Sequence, residues 1–278
     1  MSLTVFAAVL GAAFLHASWN ALIRIGAAKL TTMLVMTLVQ GALGAVLVLF
    51  HDWPAAAVWP WLAASGVFHA GYKLFLAYAY EQGDLSRVYP IARGAEPMVV
   101  LALSVSLLEE DLTAQQIVAI LTLGLGILAM GQGALRSGES IRLVPLALGS
   151  ALMTAGYSIV DGLGARVAGN AAMYVAWLFV IDALIFTPVV LALRGKAVLH
   201  TQPRVWLLGG AAALFSYAAY AIAVWAMTVA PIALVTALRE TSILFAVLIG
   251  WRVFGEPMDR TKAEAAGLIL GGVLLMRL

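Results

Sequence analysis

The sequence predicts an all-α polytopic membrane protein: ten transmembrane helices arranged as two inverted five-helix repeats. Three observations predict it. The 278 residues are 63% hydrophobic and 11% charged, against about 45–50% and about 25% in ordinary soluble domains. Apolar runs of spanning length, about 20 residues each, follow one another with short breaks and leave no stretch for a soluble domain. One charged apolar segment also occurs twice. YPIARGAEPMVVLALSVSLLEE and PIALVTALRETSILFAVLIGWRVFGE align so that Arg93 matches Arg239 (239 − 93 = 146) and Glu110 matches Glu256 (256 − 110 = 146).

Breaks fall where charges, Pro and Gly interrupt apolar runs. The first span, about 3–23, has no basic leader and reads as a permanent helix rather than a cleaved signal. Spans at about 31–50, 58–80, 87–108 and 113–133 follow, separated by basic residues, by HDWP and by the acidic LEED. The second half gives about 142–164, 170–193, 204–228, 231–253 and 261–277, with Pro231 alone dividing the eighth span from the ninth. The halves are therefore residues 1–135 and 141–278.

The repeat extends beyond one helix. LGAAFLHASWNALIRIGA aligns with LGSALMTAGYSIVDGLGA at an offset of 138, Trp19 falling on Tyr157. Five helices is an odd number, so the second half must insert upside down relative to the first, a construction shared by many secondary transporters. Loops after odd-numbered spans hold Arg24, Lys29, Arg87, Arg136, Arg142, Arg194, Lys196, Arg204, Arg252, Arg260 and Lys262. The opposite side holds Arg166 and Arg277. Eleven basic residues against two place both termini outside the cytoplasm by the positive-inside rule.

Charged residues inside such spans cost about 2.5–3.5 kcal/mol each on insertion scales, so they face a partner or a wet cavity. His16, Trp19 and Asn20 share one face of the first helix and read either as cavity wall or as helix–helix glue. His69, Tyr72 and Lys73 form a second stripe; Lys73 is either the partner of Glu96 or a carboxylate-binding lysine. Arg93 and Glu96 lie one turn apart between Pro90 and Pro97, where freed carbonyls let a helix bend. Tyr157, Tyr217 and Tyr220 are aromatic cavity candidates, with Trp177 and Trp225 as further wall residues; core packing is the alternative for all of them. Asp161 and Asp182 are candidates for coupling to protons, with a hydrogen-bonded packing role as the alternative. Arg239 and Glu240 are adjacent, so on a regular helix their side chains diverge by about 100°. On that basis Arg239 would hold a substrate carboxylate while Glu240 anchors the ninth helix. Gly267 and Gly271 form a GxxxG for an internal contact or a dimer face.

Other chemistry has no support. There are no cysteines, hence no disulfide, thiolate metal site or cysteine nucleophile. No nucleotide-binding, hydrolase or metal-ligand motif occurs, so no metal, no cofactor and no chemistry of catalysis are expected. No basic run with interleaved aromatics points to nucleic acid.

Taken together, HASWNAL (16–22), GDLSRVYPIARG (83–94), VDGLGAR (160–166) and APIALVTALRETS (230–242), followed by the FGE turn at Glu256, resemble the drug/metabolite transporter superfamily, EamA type. The resemblance covers essentially the whole chain. It implies a central cavity lined mainly by helices 3, 4, 8 and 9, with 1 and 6 contributing, and termini usually described as cytoplasmic. It further implies a multi-pass protein of the cell (inner) membrane, monomeric or homodimeric, exporting small polar metabolites such as amino acids, aromatic ones included. Two alternatives remain: export or flipping of lipid-linked or drug-like molecules, and an intramembrane enzyme built on His16, His69 and Asp182.

Overall fold

The computed structural model describes the backbone of residues 1–25, 29–82, 85–108, 110–135, 143–255, 258 and 260–277. Side chains are described within these except at 24, 29, 80–82, 85–92, 131–135 and 143. The described residues form helices α1 (Leu3–Ile25), α2 (Lys29–Leu47), α3 (Trp59–Gln82), α4 (Leu85–Ser106) and α5 (Ala114–Leu135). The second half gives α6 (Leu143–Ala168), α7 (Ala171–Arg194), α8 (Pro203–Val229), α9 (Ile232–Arg239), α10 (Ser242–Phe254) and α11 (Arg260–Arg277). Short 3₁₀ turns join some of them, and no strand occurs among the described residues.

Ten spans thus appear as eleven helices, because the ninth is broken. Pro231 separates α8 from α9 as expected, its extended backbone forming the N-cap. The second break was not expected. At Glu240 and Thr241 the amides bond back to Ala237 and Leu238, three residues behind, at 3.1 Å each. This local tightening ends α9 and restarts the chain as α10, the kind of mid-helix irregularity found at hinges. Among the described residues, six helical stretches are long and apolar enough to cross a membrane: those beginning at Leu3, Leu30, Val144, Ala171, Pro203 and Ile232. The third and fourth spans are less apolar because they carry His69, Lys73, Arg93 and Glu96 inward, all of them buried.

The inverted repeat is visible in the packing. α3 lies along α6 as α8 lies along α1, α2 on α8 is matched by α7 on α3, and α2 with α7 and α5 with α11 pair across the pseudo-twofold axis. One interface shows the relation residue by residue. A Cβ on Gly126 of α5 would stand 2.9 Å from Ile269 of α11, and one on Gly272 of α11 would stand 2.9 Å from Leu123 of α5. Those positions are related by the offset already carried by the arginines (272 − 126 = 146; 269 − 123 = 146). Only glycine lets the two backbones come this close.

Polarity is distributed opposite to that of a soluble protein. Leu184, Leu207 and Leu274 are 65–72% exposed, while Lys73, Glu96, Asp161, Asp182, Arg239 and Glu240 are at most 2% exposed. The outward faces suit acyl chains; the polar groups gather at the centre. Gly267 and Gly271 have nothing within 4 Å of an added Cβ, so among the described residues the GxxxG makes no internal helix contact.

Candidate functional site: a charged cluster around a central cavity

A cavity of about 30 Å³, room for one or two water molecules, lies where eight helices meet. His16 and Trp19 reach it from α1, Gln40 from α2, and His69, Tyr72 and Lys73 from α3. Arg93 comes from α4, Tyr157 from α6, Phe179 from α7, Ser216 and Tyr220 from α8, and Arg239 from α9. Both halves contribute, and both arginines related by the repeat line the cavity. Helices 2 and 7 line it as well, beyond the six implied by the resemblance.

The charges around it form three groups. The first joins the halves. Arg93 Nη1 donates to Glu96 Oε2 at 3.3 Å and to Glu240 Oε1 at 3.1 Å, and Nη2 donates to His16 Nε2. His16 therefore accepts at Nε2 and is neutral, with its proton on Nδ1. Arg239 Nη2 donates to Glu96 Oε1 and to Ser158 Oγ (3.4 Å), and Ser158 Oγ donates to Glu96 Oε1 at 3.1 Å. Glu96 is thus fully engaged, whereas Glu240 Oε2 and Arg239 Nε have no hydrogen-bond partner among the described residues. Pro97 follows directly; it lacks the amide that would bond the Arg93 carbonyl, beside this cluster.

The second group is Lys73, whose Nζ donates to Asp182 of α7 and, at 2.7 Å, to Thr37 of α2. Phe186 lies below it, 4.8 Å from Nζ to the ring centre. The third is Asp161 of α6. It accepts from Tyr174 at 3.1 Å and from Tyr220, and lies 3.1 Å from His69 Nε2. The His69 ring stacks on Tyr157 at 4.2 Å and meets Tyr220 edge-on at 5.2 Å. The Arg239 guanidinium stands over Tyr157, 5.7 Å from its centre.

Several expectations are corrected. Lys73 pairs with Asp182, not with Glu96, because Glu96 is already occupied by both arginines. Arg239 and Glu240 do not point apart to separate tasks: Arg239 Nε lies 3.7 Å from Glu240 Oε1, and Glu240 reaches Arg93. The helix ends between them, so regular 100° spacing does not apply. Arg239 also has a partner outside its own helix, Glu96. Asn20 does not line the cavity; its amide donates to the His16 carbonyl of its own helix at 2.8 Å. Glu96, Glu240, Asp161 and Asp182 stand behind the lining residues as their partners, and Tyr217 packs on Phe179 at 4.8 Å. Trp177 belongs to a cluster with Trp53 and Trp59 at a helix end, and Trp225 is 40% exposed on the outer face. His16, His69 and Asp182 do not assemble as a catalytic group, since each goes to a different partner.

Sequence reasoning passed over Thr37, Gln40, Ser158, Tyr174, Phe179 and Ser216. Thr37 and Gln40 left a signal, being polar residues one turn apart in the otherwise apolar run MLVMTLVQGAL. Ser158 directly follows Tyr157 in the repeat motif. Tyr174, Phe179 and Ser216 left none.

At one end of the molecule Glu110, after α4, caps the start of α9: its carboxylate accepts from the Ile232 amide at 2.7 Å and the Ala233 amide at 3.3 Å. Arg166 of α6 bonds Glu110 at 3.4 Å and the carbonyls of Met227 and Ala230 at 2.9 and 3.1 Å. Its repeat counterpart Glu256 lies outside the described residues.

Inverted five-helix halves with buried charge around a shared cavity define a membrane transporter. The chain belongs to the EamA-like transporter family, whose model matches residues 3–132 and again 142–278, and so to the drug/metabolite transporter superfamily. A solved structure titled only "Crystal structure of protein" covers 99% of this chain and 98% of its own, with a TM-score of 0.76 at 21% identity, a similarity of fold. No curated protein matches the chain.

Proposed function

We propose that the protein is a secondary transporter that exports small polar metabolites such as amino acids, aromatic ones included, by alternating access through the central cavity. One observation carries this reading: Arg93 and Arg239, one from each half, meet at the cavity and are neutralised by Glu96 and Glu240 across the boundary between halves. A guanidinium is the natural bidentate partner of a carboxylate. A substrate carboxylate arriving at Arg239 competes with Glu96 and loosens the tie between halves. Substrate binding and rearrangement are then coupled by differential contacts, as a conformational change requires. Tyr72, Tyr157, Phe179 and Tyr220 supply an aromatic wall for the rest of the molecule. Of the two candidates for proton coupling, Asp182 is paired with Lys73, which leaves Asp161. In the described conformation the cavity, about 30 Å³, is smaller than an amino acid.

The protein resides in the cell membrane, as a monomer or homodimer, with both termini outside the cytoplasm. Counterflow in proteoliposomes with a panel of labelled amino acids tests the function. Exchange of at least one aromatic amino acid is expected, and Arg239→Lys, which keeps the charge but loses the fork, slows it at least tenfold. Absence of exchange across the panel, or full exchange by Arg239→Lys, overturns the reading.

A further inference from the structure

Counted with every carboxyl ionised, buried charge among the described residues does not balance. Three cations, Lys73, Arg93 and Arg239, accompany four carboxylates, Glu96, Asp161, Asp182 and Glu240. Lys73 is matched with Asp182, and the two arginines with Glu96 and Glu240. Asp161 has no cation of that kind. Its partners are two tyrosine hydroxyls, from Tyr174 and Tyr220, and the Nε2 of His69. A carboxylate held in an apolar interior without a counter-charge is costly. One positive charge completes the cluster, and the geometry offers it two sources.

The first is a proton on His69, the side chain whose charge changes near neutral pH. The groups facing it are Tyr72 on its own helix, Tyr157 and Asp161 from α6, and Tyr220 from α8. Tyr174 of α7 reaches it through Asp161. Lys73, one turn along α3, is committed to Asp182. His16, the other cavity histidine, already accepts from Arg93 and is not available for a proton at Nε2. The second source is the cavity itself, which His69 and Tyr220 both line. An ammonium group entering there meets the Asp161 carboxylate behind a wall of aromatic rings whose faces attract cations.

We propose that the His69–Asp161 pair is a proton-binding site, and that a proton there and the ammonium group of a substrate replace one another. The proposal rests on the transport reading above and adds the coupling ion, its place, and the substrate group that displaces it. The proton and the ammonium group each supply the fourth cation to the four buried carboxylates; an amino acid's own carboxylate is added at Arg239. The Lys73–Asp182 pair is by contrast a fixed structural pair.

Purified full-length protein in weakly buffered detergent solution at pH 6.5 tests it. L-Phenylalanine and phenethylamine, which both carry an ammonium group, should each release protons on binding, as read by a pH dye. 3-Phenylpropionate, which carries only the carboxylate, should release none. Proton release by 3-phenylpropionate, or none by phenylalanine once bound, overturns the proposal. Histidine ring-nitrogen signals recorded against pH in nanodiscs read the proton site without any substrate. A protonated-imidazole signal that is present in the parent protein and disappears in His69→Gln is expected, and its absence also overturns the proposal. If no amino acid binds at all while that signal is present, the transport reading fails and the proton site stands.

Discussion

At the scale of single residues, the account turns on which buried charges are exchangeable and which are fixed. Lys73 is 2% exposed, with Asp182 and Thr37 as its partners. Breaking a buried pair by removing one member costs about 3–5 kcal/mol, whereas replacing both by apolar groups is often neutral. Lys73→Met alone should therefore lower the thermal unfolding temperature sharply, and Lys73→Met with Asp182→Leu should recover most of the loss. Thermal unfolding of the detergent-purified variants reads this. A double variant as unstable as the single one would show that the pair does more than fill its site. The types of these residues were legible in the sequence, since charges in apolar spans stand out. Their pairing was not, because Glu96 lies close to Lys73 in sequence while Asp182 sits 109 residues away on α7.

At the scale of elements, α9 is the part whose behaviour the sequence least foretold. Its Arg–Glu neighbours were read on a regular helix, and the break at Glu240 invalidates that spacing. No glycine or proline marks the break; at it, Glu240 pairs with Arg93 while Arg239 reaches Glu96. The start of α9 depends on Glu110, which supplies the cap that Pro231 lacks. Loss of a helix cap costs about 1 kcal/mol. Glu110→Ala should lower stability by that order and make a cysteine placed at Ala230 more reactive to water-soluble maleimide. The absence of native cysteines makes the labelling direct. Unchanged reactivity and unfolding temperature would mean that the cap does not hold this end closed.

At the scale of the whole molecule, the two-half architecture was legible because repeated residues keep a constant offset within each segment, Trp19 with Tyr157 at 138 and Arg93 with Arg239 at 146; the folded chain adds Gly126 with Gly272 at the α5–α11 contact. What the repeat does not specify is how the halves face each other, since only the folded chain brings Glu96 between both arginines. The loop charges add orientation. With eleven basic residues on one side against two, a C-terminal reporter active only outside the cytoplasm should be active, and a silent reporter beside a bright cytoplasmic fluorescent fusion would reverse the topology.

The central claim is that one cavity, shared by both halves, opens in turn to each side of the membrane. The most direct measurement is the accessibility of a single cysteine at Ser216, on the cavity wall, to membrane-impermeant maleimide in right-side-out and in inverted vesicles. The account predicts labelling from both sides, slowed from both by a transported amino acid. Labelling confined to one side, whatever the substrate and pH, would contradict it.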